Sequence, residues 1–216
     1  MKDIFVDVDV QRDFCEPNGA LYVPGSPNEI MRKLVRHAVD KRIPILGSVD
    51  SHAWDAWEFA SSGRKGPNGE QPNFPDHCVK GTSGWLKVDG TLPPTFRFVP
   101  NVAAAPIETI VDEVLRGETR GVYFEKEVYS MFANPMAEQF VRMLIERAGE
   151  KPNFYVFGVA TDYCVKAAAL GLAQRGYSTI LLTDAIAGIT PQGVEDAFAE
   201  MNQAGVRLAT TAELLS

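Results

Sequence analysis

Cys164 stands where the sequence can activate a thiol. It follows the run Phe154-Tyr-Val-Phe-Gly-Val-Ala and lies just after Thr161, at the head of an Ala/Leu-rich stretch that continues to Gln174. This pattern predicts a strand closed by Gly158 that runs into a helix with Thr161 as N-cap. A cysteine in the first helical turn meets unpaired N–H groups and the positive end of the helix dipole. Both favour thiolate and lower a pKa that starts at about 8.5. The same N–H groups can receive an oxyanion. Packing is the competing reading, because free cysteine is among the most buried residue types.

A nucleophilic thiol needs a base. Asp9 ends the alternating run Phe5-Val-Asp-Val8 and precedes Val10-Gln-Arg-Asp-Phe14. A carboxylate at a strand tip facing a cleft can serve. A surface turn or cap is the alternative, and Asp7 and Asp13 compete for the role. Lys126, within Phe124-Glu-Lys-Glu-Val-Tyr129, can set a cation beside the pair, although a lysine among glutamates is more often solvated. Cys15 and Cys78 open no clear helix and read as structural.

A second cluster suggests metal binding. Asp50 and His52 are two residues apart, which in an extended segment puts both side chains on one face. Glu58 and His77, in the following loop, can complete a mixed oxygen/nitrogen site suited to Zn²⁺, Mn²⁺ or Fe²⁺. Of the three histidines in the chain, two fall here, and the third, His37, reads as surface on the first helix. The alternative is an Asp–His hydrogen-bonded loop with His77 elsewhere. Phe14, Trp54, Trp57, Phe74, Tyr129 and Phe132 are candidates to line a pocket for a flat ligand, or simply to pack.

Strand-like runs at 3–9, 43–50, 120–126, 153–159, 178–184 and 205–209 alternate with helical patterns at 106–116, 134–148, 161–175 and 211–215. A further helix starts at Thr190-Pro191, and the first is announced by the capping box Ser26-Pro-Asn-Glu29, followed by apolar pairs. Such alternation predicts an α/β fold, a three-layer α/β/α sandwich around a mostly parallel six-stranded sheet. Residues 51–95 interrupt it as a long polar, Gly/Pro-rich loop. In such sheets ligands bind beyond the carboxyl ends of the strands. Asp9, Asp50 with His52, Lys126 and Cys164 all follow strand ends, so four strands should deliver them to one edge.

The composition of the 216 residues is that of an ordinary globular chain, 45% hydrophobic and 23% charged, expected to form one domain over 1–216. A net charge of −7 with no Lys/Arg run argues against nucleic acid. No apolar run approaches the ~20 residues of a membrane span. A cytoplasmic location is expected, with the three cysteines as free thiols. No G-x-G-x-x-G follows the first strand, so no nucleotide cofactor is expected.

Taken together, Val6-Asp-Val-Asp9-Val-Gln-Arg-Asp-Phe-Cys15, Ser48-Val-Asp50-Ser-His52, Pro75-Asp-His77-Cys, Lys126 and Gly158-Val-Ala-Thr-Asp-Tyr-Cys164-Val resemble the isochorismatase-like cysteine hydrolases, and within them the nicotinamidases, also called pyrazinamidases. The resemblance covers nearly the whole chain. It implies Cys164 as nucleophile, Asp9 as base and proton carrier, and Lys126 as the cation holding the pair. It implies a cis peptide at Val159–Ala160, an oxyanion hole from the N–H groups of Ala160 and Cys164, and one divalent metal, zinc first, on Asp50, His52 and His77. Glu58 stands where several relatives have another histidine, as a ligand directly or through water. Phe14 and Tyr129 match the family's aromatic pocket, with Phe74 where tryptophan is common. The implied reaction is hydrolysis of nicotinamide to nicotinate and ammonia, with a small aromatic amide as the partner and a homo-oligomer left open.

Three other readings remain at this point: another amide or ester hydrolase of the superfamily without the metal, a metallohydrolase in which Cys164 only packs, and a non-catalytic small-ligand-binding module. The metal set speaks against the first, and the joint presence of Asp9, Lys126 and Cys164 against the last.

Overall fold

The computed structural model describes residues 1–215. The strands are β1 (Asp3–Val8), β2 (Ile45–Asp50), β3 (Phe96–Val99), β4 (Gly121–Lys126), β5 (Asn153–Val159), β6 (Ser178–Ala187) and β7 (Arg207–Ala209). All pair in parallel in one sheet, ordered β3-β4-β2-β1-β5-β6-β7. The helices are α1 (Arg12–Cys15), α2 (Asn28–Lys41), α3 (Ile107–Arg116), α4 (Ala137–Ala148), α5 (Lys166–Gln174), α6 (Pro191–Gln203) and α7 (Thr211–Leu215).

Side chains alternate across β1. Ile4, Val6 and Val8 join a core with residues of α3, α4, α5 and α6, whereas Phe5 joins a second core with Met31, Leu34, Val35 and Ala38 of α2. Helices thus cover both faces, which makes the expected three layers. Gly158 has φ 127°, and a Cβ there would lie 2.0 Å from the Val8 carbonyl oxygen, so the β1–β5 approach admits only glycine.

Sequence and structure differ at several points. The sheet has seven strands rather than six; the extra one, β3, is a short edge strand beyond the long loop. The capping box does not form, since the Ser26 hydroxyl donates to Asn28 Oδ1 (3.0 Å) and α2 starts without a side-chain cap. Thr161 is likewise no cap. It begins a π-helical turn, Thr161–Val165, that leads into α5. His37 is half-buried and stacked on Phe5 rather than free on the surface. The Thr190-Pro191 start does form, with the Thr190 hydroxyl accepting from the Gly193 N–H at 3.1 Å. Residues 51–95 are folded back on the sheet edge. His52 pairs with Val79 and Phe59 with Phe74, and Arg12 and Asp13 donate backbone N–H groups to Leu86 and Gly84. No helix among the described residues is long and apolar enough to cross a membrane.

Candidate active site

Strands β4, β2, β1 and β5 are neighbours in that order, and their carboxyl ends bring the reactive side chains together. Lys126, the last residue of β4, is fully buried. Its Nζ lies 2.8 Å from Asp9 Oδ2, 2.7 Å from Asp50 Oδ1 and 3.6 Å from Cys164 Sγ. Such a charge is tolerable only when paired, and here two carboxylates pair it. Burial alone would lower the Lys126 pKa, but Asp50 and Asp9 hold it well above the usual lysine range. Burial would likewise raise Asp50, but Lys126, His52 and His77 hold its carboxyl well below the usual carboxylate range. The Ser48 hydroxyl donates to Asp9 Oδ1 at 2.8 Å. Asp9 itself has φ 49°, in the left-handed region that aspartate tolerates better than most residues.

Cys164 is 7% exposed and lines a cleft above this group. Its thiol is pushed well above the usual range by burial, reinforced by Asp9 and Asp50 and opposed by Lys126. The lowered pKa read from its helical position is thus overturned. Desolvation and two nearby carboxylates outweigh the half-charge of a helix end. A thiol whose pKa is raised needs a base to become a nucleophile. The Val159–Ala160 peptide bond just before it is cis. The rival carboxylates are committed elsewhere. Asp7 Oδ1 is 2.8 Å from Lys87 Nζ, and the Asp13 carboxylate accepts from the N–H groups of Ala20 (3.0 Å) and Cys78 (2.7 Å).

Asp50 faces two ways. While Oδ1 meets Lys126, Oδ2 lies 3.4 Å from His52 Nε2 and 3.6 Å from His77 Nε2. Glu58 Oε1 completes the ring, 3.0 Å from His52 Nε2 and 3.5 Å from His77 Nε2. Ligand atoms of Asp50, His52 and His77 all lie within 4.8 Å of one another. His77 Nδ1 is 2.8 Å from the Pro75 carbonyl, which only accepts, so Nδ1 carries the proton and Nε2 offers its lone pair to the cluster. His52 Nε2 is buried and, although 3.0 Å from Glu58 Oε1, makes no well-aligned hydrogen bond. An orphaned imidazole nitrogen amid a second imidazole and two carboxylates is the donor set of a divalent cation, and these residues fit one.

The cleft is narrow, with a cavity volume of ≈ 40 Å³. Phe14, Phe74 and Tyr129 line it as expected, whereas Trp54, Trp57 and Phe132 do not. Leu21, Tyr163 and Ile189 line it too, although sequence reading had not singled them out. Ile189 is held by Asp162, whose carboxylate accepts from the N–H groups of Ile189 (3.0 Å) and Thr190 (3.1 Å). The signal for Ile189 was its place beyond β6, at the same sheet edge.

The isochorismatase domain profile matches residues 3–213. The nicotinamidase of Escherichia coli (strain K12) is 31% identical, over 95% of this chain and 93% of its own. The nicotinamidase/pyrazinamidase of Mycobacterium tuberculosis (strain ATCC 25618 / H37Rv) is 28% identical, over 93% of this chain and 95% of its own. The crystal structure of the Pyrococcus horikoshii pyrazinamidase in complex with zinc superposes with a TM-score of 0.71 at 28% identity, covering 97% of this chain and 99% of that one.

Proposed function

The chain belongs to the isochorismatase domain family, and from that premise we propose that it is a nicotinamidase, hydrolysing nicotinamide to nicotinate and ammonia. One observation carries the reading: the Cys164 sulfur, 3.6 Å from a buried ammonium shared by Asp9 and Asp50, lines the same aromatic-walled cleft as Asp50 and His77 of the Asp50/His52/His77 cluster. A thiol amidase that must orient a flat heteroaromatic ring needs both halves.

Asp9 takes the proton of the neutral thiol, and the sulfur attacks the carboxamide carbon. The N–H groups of Ala160 and Cys164 receive the tetrahedral oxyanion. Asp9 returns the proton to the leaving nitrogen as the C–N bond breaks, releasing ammonia and leaving a thioester. Water then gives a proton to Asp9 and attacks the thioester carbon, and the sulfur leaves to recover the proton. Lys126 keeps its charge throughout, holding Asp9 in place. Asp50, His52 and His77, with Glu58 directly or through water, would hold the metal, for which we propose zinc. When bound, such an ion supplies a Lewis acid for a ring-nitrogen lone pair. Phe14, Phe74 and Tyr129 flank the ring.

The test is ammonia release from nicotinamide by purified protein, before and after chelation and after thiol alkylation, with metal content read on the same sample. Release lost by both treatments supports the mechanism. Release that survives alkylation moves the chemistry from Cys164 to the metal, and no release from well-folded, metal-loaded protein points to another amide.

A further inference from the structure

Asp50 is asked to do more than any other residue of the site, and it is the last residue of its strand. β2 ends at Asp50, and from Ser51 the chain turns into the long loop. What holds the Asp50 peptide is a side chain from another segment. Gln11 is fully buried. Its Oε1 accepts from the Asp50 N–H at 2.7 Å, and its Nε2 donates to the Asp50 carbonyl at 2.8 Å and to the Trp85 carbonyl at 2.9 Å.

The chemistry of the three partners fixes the orientation of the amide. A backbone N–H can only donate and must meet the oxygen, while two carbonyls can only accept and must meet the nitrogen. Both Nε2 hydrogens are thereby used. Glutamate is the same shape but would set an acceptor against two carbonyls, and asparagine is one methylene short. The third partner ties in the long loop. Trp85 is itself fixed, its Nε1 donating to Ser51 Oγ at 3.1 Å and its ring packed on Phe98 of β3.

We infer that Gln11 is a positioning residue for Asp50, with the Trp85 carbonyl locking its amide, so that the turn carrying Asp9 and the long loop together aim the Asp50 carboxylate at His52 and His77. The inference rests on the metal reading of that cluster. It assigns part of residues 51–95 a second task besides supplying ligands. Outer-shell partners of metal ligands typically contribute about 10–100-fold in affinity.

The experiment is calorimetric titration of chelator-stripped protein with Zn²⁺ alone, for wild type, Gln11→Glu, Gln11→Asn and His52→Ala, with the rate of Cys164 alkylation by iodoacetamide measured on each. The expected result is Zn²⁺ affinity reduced about 10–100-fold in both Gln11 variants while the alkylation rate stays within about twofold of wild type. Should Gln11→Glu fail to fold, Gln11→Asn alone decides. Unchanged Zn²⁺ affinity overturns the inference, as does a parallel loss of affinity and of the alkylation profile, which would make Gln11 a general structural residue. A wild type that takes no Zn²⁺, or takes it equally well after His52→Ala, overturns the metal reading itself and this inference with it.

Discussion

Asp9 and Lys126 touch at 2.8 Å with neither side chain exposed to solvent. Removing the cation leaves Asp9 and Asp50 buried without the ammonium that pairs them. Lys126→Met should therefore cost about 3–5 kcal/mol in urea unfolding, far beyond a surface pair. Turnover should fall about 10²–10⁴-fold, the usual worth of a positioned general base. A loss of stability under about 1 kcal/mol would show that the pair is not desolvated as described.

The three cysteines should differ sharply in reactivity. Cys15 is held by burial at about 12 and Cys78 well above its ordinary range, while Cys164 alone lines the cleft. Peptide mapping after iodoacetamide treatment of native protein should find label on Cys164 only. Because burial raises its pKa, the thiolate is the minor form at pH 7, and labelling should accelerate about tenfold per pH unit up to that raised value. A rate already maximal at neutral pH would mean a resting thiolate.

Asp7 and Lys87 form a second buried pair, at 2.8 Å, beneath the first. Burial raises the Asp7 pKa above 3.8, with Lys87 opposing. Lys87→Met should cost about 3–5 kcal/mol at pH 7, and the double variant Asp7→Asn/Lys87→Met should recover most of it. The sign with pH follows from linkage. A carboxyl whose folded pKa is raised binds its proton more tightly in the fold, so its penalty is absent below about 3.8 and grows as pH rises through the folded value. The single variant's deficit should thus shrink on acidification. A deficit that deepens on acidification would contradict this.

Asp162 should act on substrate binding without touching substrate. Its carboxylate holds the backbone of Ile189 and Thr190, and Ile189 lines the cleft. Asp162→Ala should cost about 1.5–3 kcal/mol in stability for the lost charged hydrogen bonds. It should raise KM more than it lowers kcat, in steady-state kinetics on nicotinamide. An unaltered KM would place the cleft wall elsewhere.

The parts of the site that lie at strand ends were legible from sequence, because a strand end is marked by its own apolar run. Asp9, Asp50, Lys126 and Cys164 each follow one, and the structure brings all four together. What escaped depends on long-range burial. Lys126 looks solvated among glutamates, yet the sheet folds over it. The helix-end argument for Cys164 failed for the same reason, since local dipoles can be read from the chain and desolvation cannot. β3 was missed because four residues beside a long loop carry too little pattern, and it is recognised only by its pairing with β4. Gln11 has no role legible from its place two residues after Asp9, and only the convergence of three segments on its amide gives it one.

The spatial order of the strands also sets when the protein becomes reactive. β1, β2 and β4 all precede residue 127, so the two carboxylates and the ammonium are made early, whereas β5 and its thiol come later and must slot in beside β1. At about 5–20 residues per second on the ribosome, the growing chain carries Asp9, Asp50 and Lys126 without Cys164 for seconds. Fragments that stop before β5 lack the nucleophile, which arrives only when the strand beside β1 has been made.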